Sequence, residues 1–180
     1  MPRPPRNALP LGSLVDRYVL RSMIGRGGTA TVYEAEDRRS GERVAVKVLD
    51  PERPDAGRTG EPERHRMLRE ARLTSALGHP AIVRVLDAGL LEGGRAFLVM
   101  ERLAGRTLAQ RMDECFWLPL DESRDVAAQL LDALEAAHAA GIVHRDVKPT
   151  NVFLLEEAPR PRVKLIDFGI GVDLGDPRAA

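Results

Sequence analysis

Short apolar runs rich in β-branched and aromatic residues begin at Tyr18, after a proline-rich leader of residues 1–13 that we expect to be disordered. A glycine cluster and a turn-forming stretch at 39–42 separate the runs. Runs of this length are typical of strands, and turns this short join antiparallel neighbours. The pattern therefore predicts a three-stranded antiparallel sheet, with strands at 18–24, 31–33 and 44–49.

The next segment changes from strand-like to helical periodicity and back. A helix is predicted over residues 64–77, where the glycine and proline within 78–80 end it. Two further strands, 82–87 and 95–100, are predicted on either side of a double-glycine turn. Gly105 indicates a break in the chain beyond them.

The clearest periodicity lies in the second half of the chain, where Val126, Leu130 and Leu134 recur every four residues. They predict a helix over residues 121–140, with Gly141 as its C-terminal cap. Beyond it the pattern predicts a strand, a turn and a second strand, at 152–155, 159–161 and 163–166.

Composition narrows the possible classes of protein. The chain has 180 residues, 43% of them apolar, which suits one globular domain or a small two-lobed one. Its 27 basic and 27 acidic residues cancel, so the charge does not point to nucleic acid or an anionic membrane as a partner. A single cysteine, Cys115, excludes an internal disulfide. No signal peptide is visible and no apolar run approaches the roughly 20 residues that span a bilayer, so we expect a cytoplasmic protein.

The glycine cluster permits two functional interpretations. Gly25, Gly27 and Gly28 could form a phosphate-covering loop between two antiparallel strands, where missing side chains let backbone N–H groups approach phosphate oxygens. They also fit a dinucleotide fingerprint, with Asp50 as the acid about 20 residues further on. That fingerprint must open a helix, whereas strand-forming residues and a turn follow here. The sequence therefore favours a hairpin loop. The glycines alone permit either a phosphate-covering loop or an ordinary glycine-rich hairpin.

Lys47 lies in an otherwise apolar strand, 22 positions after Gly25. Such a lysine either faces solvent or is a buried functional cation, and a buried ammonium group needs a partner. Glu70, in the middle of the predicted first helix, is the candidate partner. Its charged neighbours also permit a solvated helix face, so the residues alone leave both interpretations open.

Two further motifs are the most specific in the chain: HRDVKPTN at 144–151 and DFG at 167–169. With the glycine loop and VAVK at 44–47, they follow the order of the protein kinase signatures. The chain thereby resembles eukaryotic-type serine/threonine protein kinases, and HPAIV at 79–83 is typical of the bacterial ones. The resemblance covers about residues 14–175.

The resemblance implies an α+β, protein-kinase-like fold with two lobes. An N-lobe antiparallel sheet with one αC-type helix would span about residues 14–101, followed by a hinge at 101–105. An incomplete, mainly helical C-lobe would occupy residues 106–180. The family further implies ATP as phosphoryl donor, Mg²⁺ as metal and a Ser/Thr-containing protein as substrate, and it leaves the oligomeric state open.

The catalytic roles implied by the resemblance depend on positioning and charge neutralisation. Asp146 would orient the substrate hydroxyl and accept its proton. Lys148 would neutralise the γ-phosphate, and a lysine at this place marks the serine/threonine class. Asn151 and Asp167 would coordinate Mg²⁺ through hard oxygens. Lys47 would hold the α- and β-phosphates.

The resemblance also assigns the rest of the nucleotide site. Glu70 would pair with Lys47. The adenine ring would lie between an upper and a lower apolar set, formed by Ile24, Val32 and Ala45 and by Phe153. Met100 would be the gatekeeper, and the backbone C=O of Glu101 and N–H of Leu103 would pair with the adenine edge. His144 and Phe168 are expected to pack the core behind the site.

The chain ends eleven residues after Gly169, where the family continues into an activation segment. The resemblance therefore implies truncation after DFG, and the helix at 121–140 should then expose apolar surface. One alternative is a catalytically impaired nucleotide-binding or interaction module. A small-molecule kinase of related fold fits less well, because HRDxK is protein-kinase usage.

Overall fold

The structure, a computed structural model, describes residues 8–51, 63–115, 117–156, 162–168 and 172–173. Over these residues the chain divides into two compact units. The first comprises Met1–Ala71 with Val85–Arg102, and the second comprises Arg72–Arg84 with Leu103–Ala180. Residues 72–84, predicted within the N-lobe, therefore group with the second unit.

The first unit is built on a six-stranded antiparallel sheet with the order β1-β2-β3-β4-β6-β5. Its strands are β1 (Leu14–Val15), β2 (Tyr18–Arg26), β3 (Ala30–Asp37), β4 (Arg43–Leu49), β5 (Val85–Leu90) and β6 (Ala96–Glu101). Helix α1 spans Glu63–Ser75. The three predicted N-terminal strands and the helix after them are confirmed, and β1 is additional.

Alternate residues of the strands supply the core of the first unit. Tyr33 and Ala35 on β3 and Val44, Val46 and Val48 on β4 are almost fully buried. This alternation follows from the pleat of a strand, which turns successive side chains to opposite faces. The side chains on the opposite face of β3 and β4 therefore lie outside this core.

Part of the predicted disordered leader is ordered. Leu9 packs against the core of the first unit, and its backbone N–H donates a 2.8 Å hydrogen bond to the hydroxyl of Tyr33. The N–H of Gly12 donates to the carbonyl of Leu20 at 2.8 Å. These contacts correct the leader prediction for residues 8–13, and residues 1–7 lie outside the described chain.

The described part of the second unit combines α-helices, a short 3-10 helix at Pro149–Asn151 and small sheets. Its α-helices are α2 (Leu108–Asp113) and α3 (Leu120–Ala139). Its strands are β7 (Gly105–Thr107), β8 (Ile142–Val143), β9 (Val152–Leu155), β10 (Arg162–Leu165) and β11 (Val172–Asp173). The strand orders are β10-β9-β7 and β11-β8, both antiparallel. The predicted turn at 159–161 lies outside the described residues, and no described helix is long and apolar enough to cross a bilayer.

Helix α3 forms where the periodicity predicts it. Gly141 ends it at φ +75°, and its N–H donates to the His138 carbonyl at 2.9 Å. The fully buried positions include Ala133 and Ala137, and α3 contacts β8 and β10. The larger Leu131 is 67% exposed. Small side chains thus carry the helix close to the strands, and the helix exposes apolar surface as expected.

The strand predicted at 82–87 is wrong at its start, since β5 begins at Val85. The preceding residues pair with β10 instead. The N–H of Leu165 donates to the Ala81 carbonyl at 2.7 Å, and the N–H of Val83 donates to the Leu165 carbonyl at 3.0 Å. Strand β5 therefore starts later than predicted, because the preceding residues bind Leu165, more than 80 positions further along the chain.

Gly105 does not break the chain but opens strand β7, which pairs with β9. The residue has φ +143°, and a Cβ built on it would lie 2.0 Å from the carbonyl oxygen of Leu154. Both the backbone conformation and the close approach of β9 therefore require glycine. The glycine that suggested a turn in the sequence is therefore needed for the close contact between β7 and β9.

Gly105→Ala should destabilise the protein by about 3 kcal/mol, because the new methyl group meets a backbone carbonyl in a strained conformation. Urea denaturation measures the change. Gly78→Ala is the matched control, since a Cβ there meets no atom within 4 Å. A Gly105→Ala protein as stable as the control would contradict this account.

Candidate functional site

One face of the first unit's sheet lies opposite its core and carries four of the residues predicted to bind nucleotide, Val32, Ala45, Lys47 and Met100. Strand register sets Val32 beside Lys47 in one row, and Glu34, Ala45 and Met100 in the next. Ala45 and Met100 are buried and Lys47 is half-buried. Directly paired positions share a face of the sheet, so these side chains are neighbours.

The glycine cluster forms the turn of the β2–β3 hairpin. Gly25 pairs with Val32, and the N–H of Gly27 donates to the Ala30 carbonyl at 2.8 Å. A strand, not a helix, follows the glycines. The dinucleotide-fingerprint alternative is therefore wrong, because its pyrophosphate site requires a helix N-terminus.

The fold itself makes no demand for these three glycines. Gly25, Gly27 and Gly28 are absent from the positive-φ residues. A Cβ would lie 3.8 Å from the nearest atom at Gly25, 3.7 Å at Gly27, and beyond 4 Å from any atom at Gly28. These are ordinary or open environments. The folded chain alone therefore gives no steric or conformational reason for glycine at these three positions.

The other predicted nucleotide contacts occupy defined elements. Ile24 is 43% exposed and falls at an irregularity in the β2–β3 register. Glu101 ends β6 opposite Val44. In the second unit, Leu103 precedes β7, and Phe153 lies half-buried on β9.

Glu70 falls within α1, but its side chain lies outside the described part of the structure. The predicted Lys47–Glu70 ion pair therefore stays a prediction.

Asp146 is the centre of a small polar network in the second unit, between β8 and β9. Its Oδ2 atom lies 2.7 Å from the Nζ of Lys148 and accepts a 2.9 Å hydrogen bond from the Nδ2 of Asn151. The same Nδ2 atom also donates to the Asp146 backbone carbonyl at 2.9 Å. Both side-chain contacts use Oδ2, and no described residue is hydrogen-bonded to Oδ1.

These contacts hold the pKa of the Asp146 carboxyl below its ordinary value. The hydrogen bond from Lys148 is the largest cause, partial burial opposes it, and the bond from Asn151 adds to the lowering. The carboxyl group is therefore ionised at neutral pH. Because 43% of the side chain is exposed, the ionised group is accessible from solvent.

His144 supports Asp146 from the buried side, a contact that the sequence reasoning missed. Its ring is 1% exposed and lies 4.6 Å, centroid to centroid, from the buried ring of Phe168, as expected for core residues. Nδ1 of His144 accepts a 3.2 Å hydrogen bond from the N–H of Asp146. Burial lowers the pKa of His144, only partly opposed by the Ile166 backbone and nearby carboxylates, so the ring is neutral. The spacing of two residues between His144 and Asp146 is the feature of the sequence that could have indicated this hydrogen bond.

Asn151 and Asp167, the predicted metal ligands, are brought together by the backbone. The N–H of Ile166 donates to the Asn151 carbonyl at 2.9 Å, and Asp167 follows at φ +53°. Since Nδ2 of Asn151 serves Asp146, its amide oxygen is the atom suited to a metal. An amide oxygen and a carboxylate are hard donors that fit Mg²⁺. Among the described residues no cluster of three His, Cys, Asp or Glu side chains could hold a metal.

Comparison with known proteins identifies the family. A model of the protein kinase domain matches residues 18–179. The chain belongs to the protein kinase family. It is 43% identical over 163 residues to the serine/threonine-protein kinase PknA of Mycobacterium tuberculosis, and 39% identical over 164 residues to a probable serine/threonine-protein kinase PknB of Lactococcus lactis. These alignments cover 88% and 89% of this chain but only 36% and 25% of the relatives.

Solved structures agree on the fold. The crystal structure of the PknI kinase domain of Mycobacterium tuberculosis matches with a TM-score of 0.77 and 31% identity. The match covers 91% of this chain and 64% of that one. The predicted α+β, protein-kinase-like fold is confirmed, with its antiparallel N-terminal sheet.

Lys148→Met should raise the pKa of the Asp146 carboxyl toward the ordinary value of about 3.9, because the variant removes the main cause of the lowering. Carboxyl-carbon NMR titration measures it. Because the folded-state pKa of Asp146 is lowered, its ionisation stabilises the protein at any pH above its ordinary pKa. This stabilisation is lost as the pH falls through the folded-state pKa.

Lys164→Met provides the control for this titration. Its ammonium group donates to the Ile82 carbonyl at 3.2 Å, away from the carboxylate network. The pKa of Asp146 should not change in this variant. An unchanged pKa in Lys148→Met as well would show that the ion pair has no effect in solution.

Proposed function

We propose that this protein kinase chain transfers the γ-phosphoryl group of Mg·ATP to Ser or Thr hydroxyls of protein substrates. The observation that carries the proposal is the Asp146 carboxylate. Its Oδ2 is held by Lys148 and Asn151, while Oδ1 has no hydrogen bond from any described residue. An ionised, oriented and accessible oxygen is what a substrate hydroxyl needs as hydrogen-bond acceptor.

Asp146 acts first by orientation and then as a proton acceptor. Because its pKa is lowered, the carboxylate is a weak base for an alcohol at the start of the reaction. Phosphoryl transfer tolerates this, since its loose transition state depends mainly on alignment and charge neutralisation. Oδ1 therefore aligns the hydroxyl oxygen. The proton passes to Oδ1 as the new phosphorus–oxygen bond forms and the bond from the γ-phosphorus to the bridging oxygen of the leaving ADP breaks.

Lys148 supplies the positive charge next to the acceptor. Its side chain is 51% exposed although its ammonium group lies 2.7 Å from Asp146. An accessible ammonium group on a flexible stem can also reach an incoming phosphate. A lysine two positions after the aspartate fits the serine/threonine class, and the similar proteins PknA and PknB are serine/threonine-protein kinases.

The glycine hairpin and Lys47 serve the phosphates in this proposal. The fold leaves Gly25, Gly27 and Gly28 without steric or conformational need. A phosphate chain lying against the backbone supplies the missing reason, since any side chain would block its approach to the N–H groups. Lys47 on β4, paired with Val32 close to the turn of this hairpin, adds an ammonium group.

Mg²⁺ would be held by the amide oxygen of Asn151 and the carboxylate of Asp167. When bound, the ion neutralises phosphate charge. Asn151 also fixes Asp146 through Nδ2, so one side chain would link the metal position to the hydroxyl acceptor.

Adenine recognition would combine apolar contact with backbone hydrogen bonds. Ile24, Val32, Ala45 and Met100 offer apolar surface on the first unit, and Phe153 offers it on the second. The carbonyl of Glu101 and the N–H of Leu103 would pair with the base edge.

Asp146→Asn should reduce transfer of labelled γ-phosphate to a basic generic protein by about 100-fold or more, because the amide cannot accept the proton. Binding of Mg·ATP, followed by calorimetry, should persist. Asp113→Asn, on the exposed end of α2, is the control and should keep full activity.

The outcomes separate the alternatives. Mg·ATP binding without phosphoryl transfer by the unmodified chain would favour a nucleotide-binding module. Transfer to aminoglycosides or choline but not to protein would favour a small-molecule kinase. Transfer that survives Asp146→Asn would remove Asp146 from the mechanism.

A further inference from the structure

Glu34 forms an ion-pair cluster next to the adenine-side row of the sheet. Its Oε2 accepts a 3.0 Å hydrogen bond from the Nε of Arg102, and its Oε1 accepts one from Arg43. The Glu34 side chain is only 15% exposed, and Arg102 is 33% exposed. The sequence reasoning gave neither Glu34 nor Arg102 a role.

Strand register brings this cluster to the predicted adenine contacts. Glu34 on β3 is paired with Ala45 on β4, which is paired with Met100 on β6. Arg102 lies just past the end of β6, two positions after Met100, and its guanidinium group reaches back across β4 to Glu34. The ion pair therefore crosses the sheet on the face that carries Ala45 and Met100.

The Glu101 carbonyl lies in the peptide plane that joins Glu101 to Arg102. Because the peptide is planar, the direction of the carbonyl follows from the backbone dihedral angles at Glu101 and Arg102. The pairing of Glu101 with Val44 restrains the first of these residues. The ion pair to Glu34 restrains the side chain of Arg102, the second residue. The carbonyl thus lies between a residue held by a strand and a residue restrained through its side chain.

We propose that Glu34 is a positioning residue for adenine recognition, acting through Arg102 on the carbonyl of Glu101. The inference rests on the proposed function, since it needs ATP as the ligand of this face. Glu34 itself does not touch the base. Its effect is to hold the acceptor that receives the exocyclic amino group of adenine.

The charge state of the cluster supports this role. The bonds from Arg102 and then Arg43 lower the pKa of Glu34, so it is ionised at neutral pH. A carboxylate shared by two guanidinium groups and largely removed from water has few alternative partners. Loss of Glu34 therefore removes this restraint from the side chain of Arg102.

The chain contains a close control on the same strand. Glu36, two positions along β3 on the same face, pairs with Arg21 of β2 at 2.9 Å. That pair is also a carboxylate–guanidinium contact, but it lies on the side of β3 away from β6. Glu36→Ala removes the same chemical group without touching Arg102.

The experiment compares two nucleotides by calorimetry in the presence of Mg²⁺: ATP, and purine riboside triphosphate, which lacks the 6-amino group. In Glu34→Ala the affinity for ATP should fall about three- to tenfold, while the affinity for the analogue should change less than about twofold. Arg102→Ala should reproduce this selectivity even if Glu34→Ala folds poorly. Glu36→Ala should leave both affinities unchanged.

Each outcome decides the inference. An equal loss for both nucleotides would mean that Glu34 is merely structural, and unchanged ATP affinity in both Glu34→Ala and Arg102→Ala would overturn the positioning role. Neither result would affect the proposed kinase function. Failure of the unmodified chain to bind either nucleotide would instead overturn the proposed function and this inference with it.

Discussion

The antiparallel register of β3, β4 and β6 is the constraint on which the first unit depends. Burial of Tyr33, Val46 and Val99 on one face fixes which residues reach the other. A slip of one residue would exchange the two faces, sending Lys47 into the core. The packing of the core residues therefore sets the positions of the predicted nucleotide-binding residues on the opposite face of the sheet. The same register carries Glu34 toward the end of β6, so the inferred adenine acceptor depends on it too.

The second unit differs from the first, because its predicted catalytic residues lie in a loop and not in a β-sheet. Hydrogen bonds to neighbouring residues, and not pairing between strands, hold them in place. Neutral His144 accepts the N–H of Asp146, and Asn151 bonds both the backbone and the side chain of the same residue. Arg145, between them, takes φ +62°, an unfavourable conformation for arginine that these bonds can sustain. Within this loop Asp146 and Lys148 are partly exposed, whereas His144 and Asn151 are buried.

Local sequence patterns predicted the elements whose determinants lie close together in the sequence. These are the β2–β3 hairpin, strand β4, and helix α3 with its glycine cap. The predictions failed where a distant partner decides. Gly105 lies in a strand because Leu154 approaches it, and β5 starts late because Ala81 and Val83 bind β10. Glu34 and Arg102 are 68 positions apart, so no local spacing could reveal their contact. Helix α2 is different, since the capping box formed by Thr107 and Gln110 was visible and passed over.

Lys148 links the resting electrostatics of the site to the proposed reaction. At rest its ammonium group is the main reason that the pKa of Asp146 is low. In the proposed reaction a γ-phosphate competes for the same ammonium group, because phosphate oxygens carry more charge than one carboxylate. Any weakening of the Lys148–Asp146 contact raises the pKa of Asp146, and Asn151 still holds the carboxylate in place. In the proposed reaction the carboxylate would thus become a stronger proton acceptor when a phosphoryl donor is present.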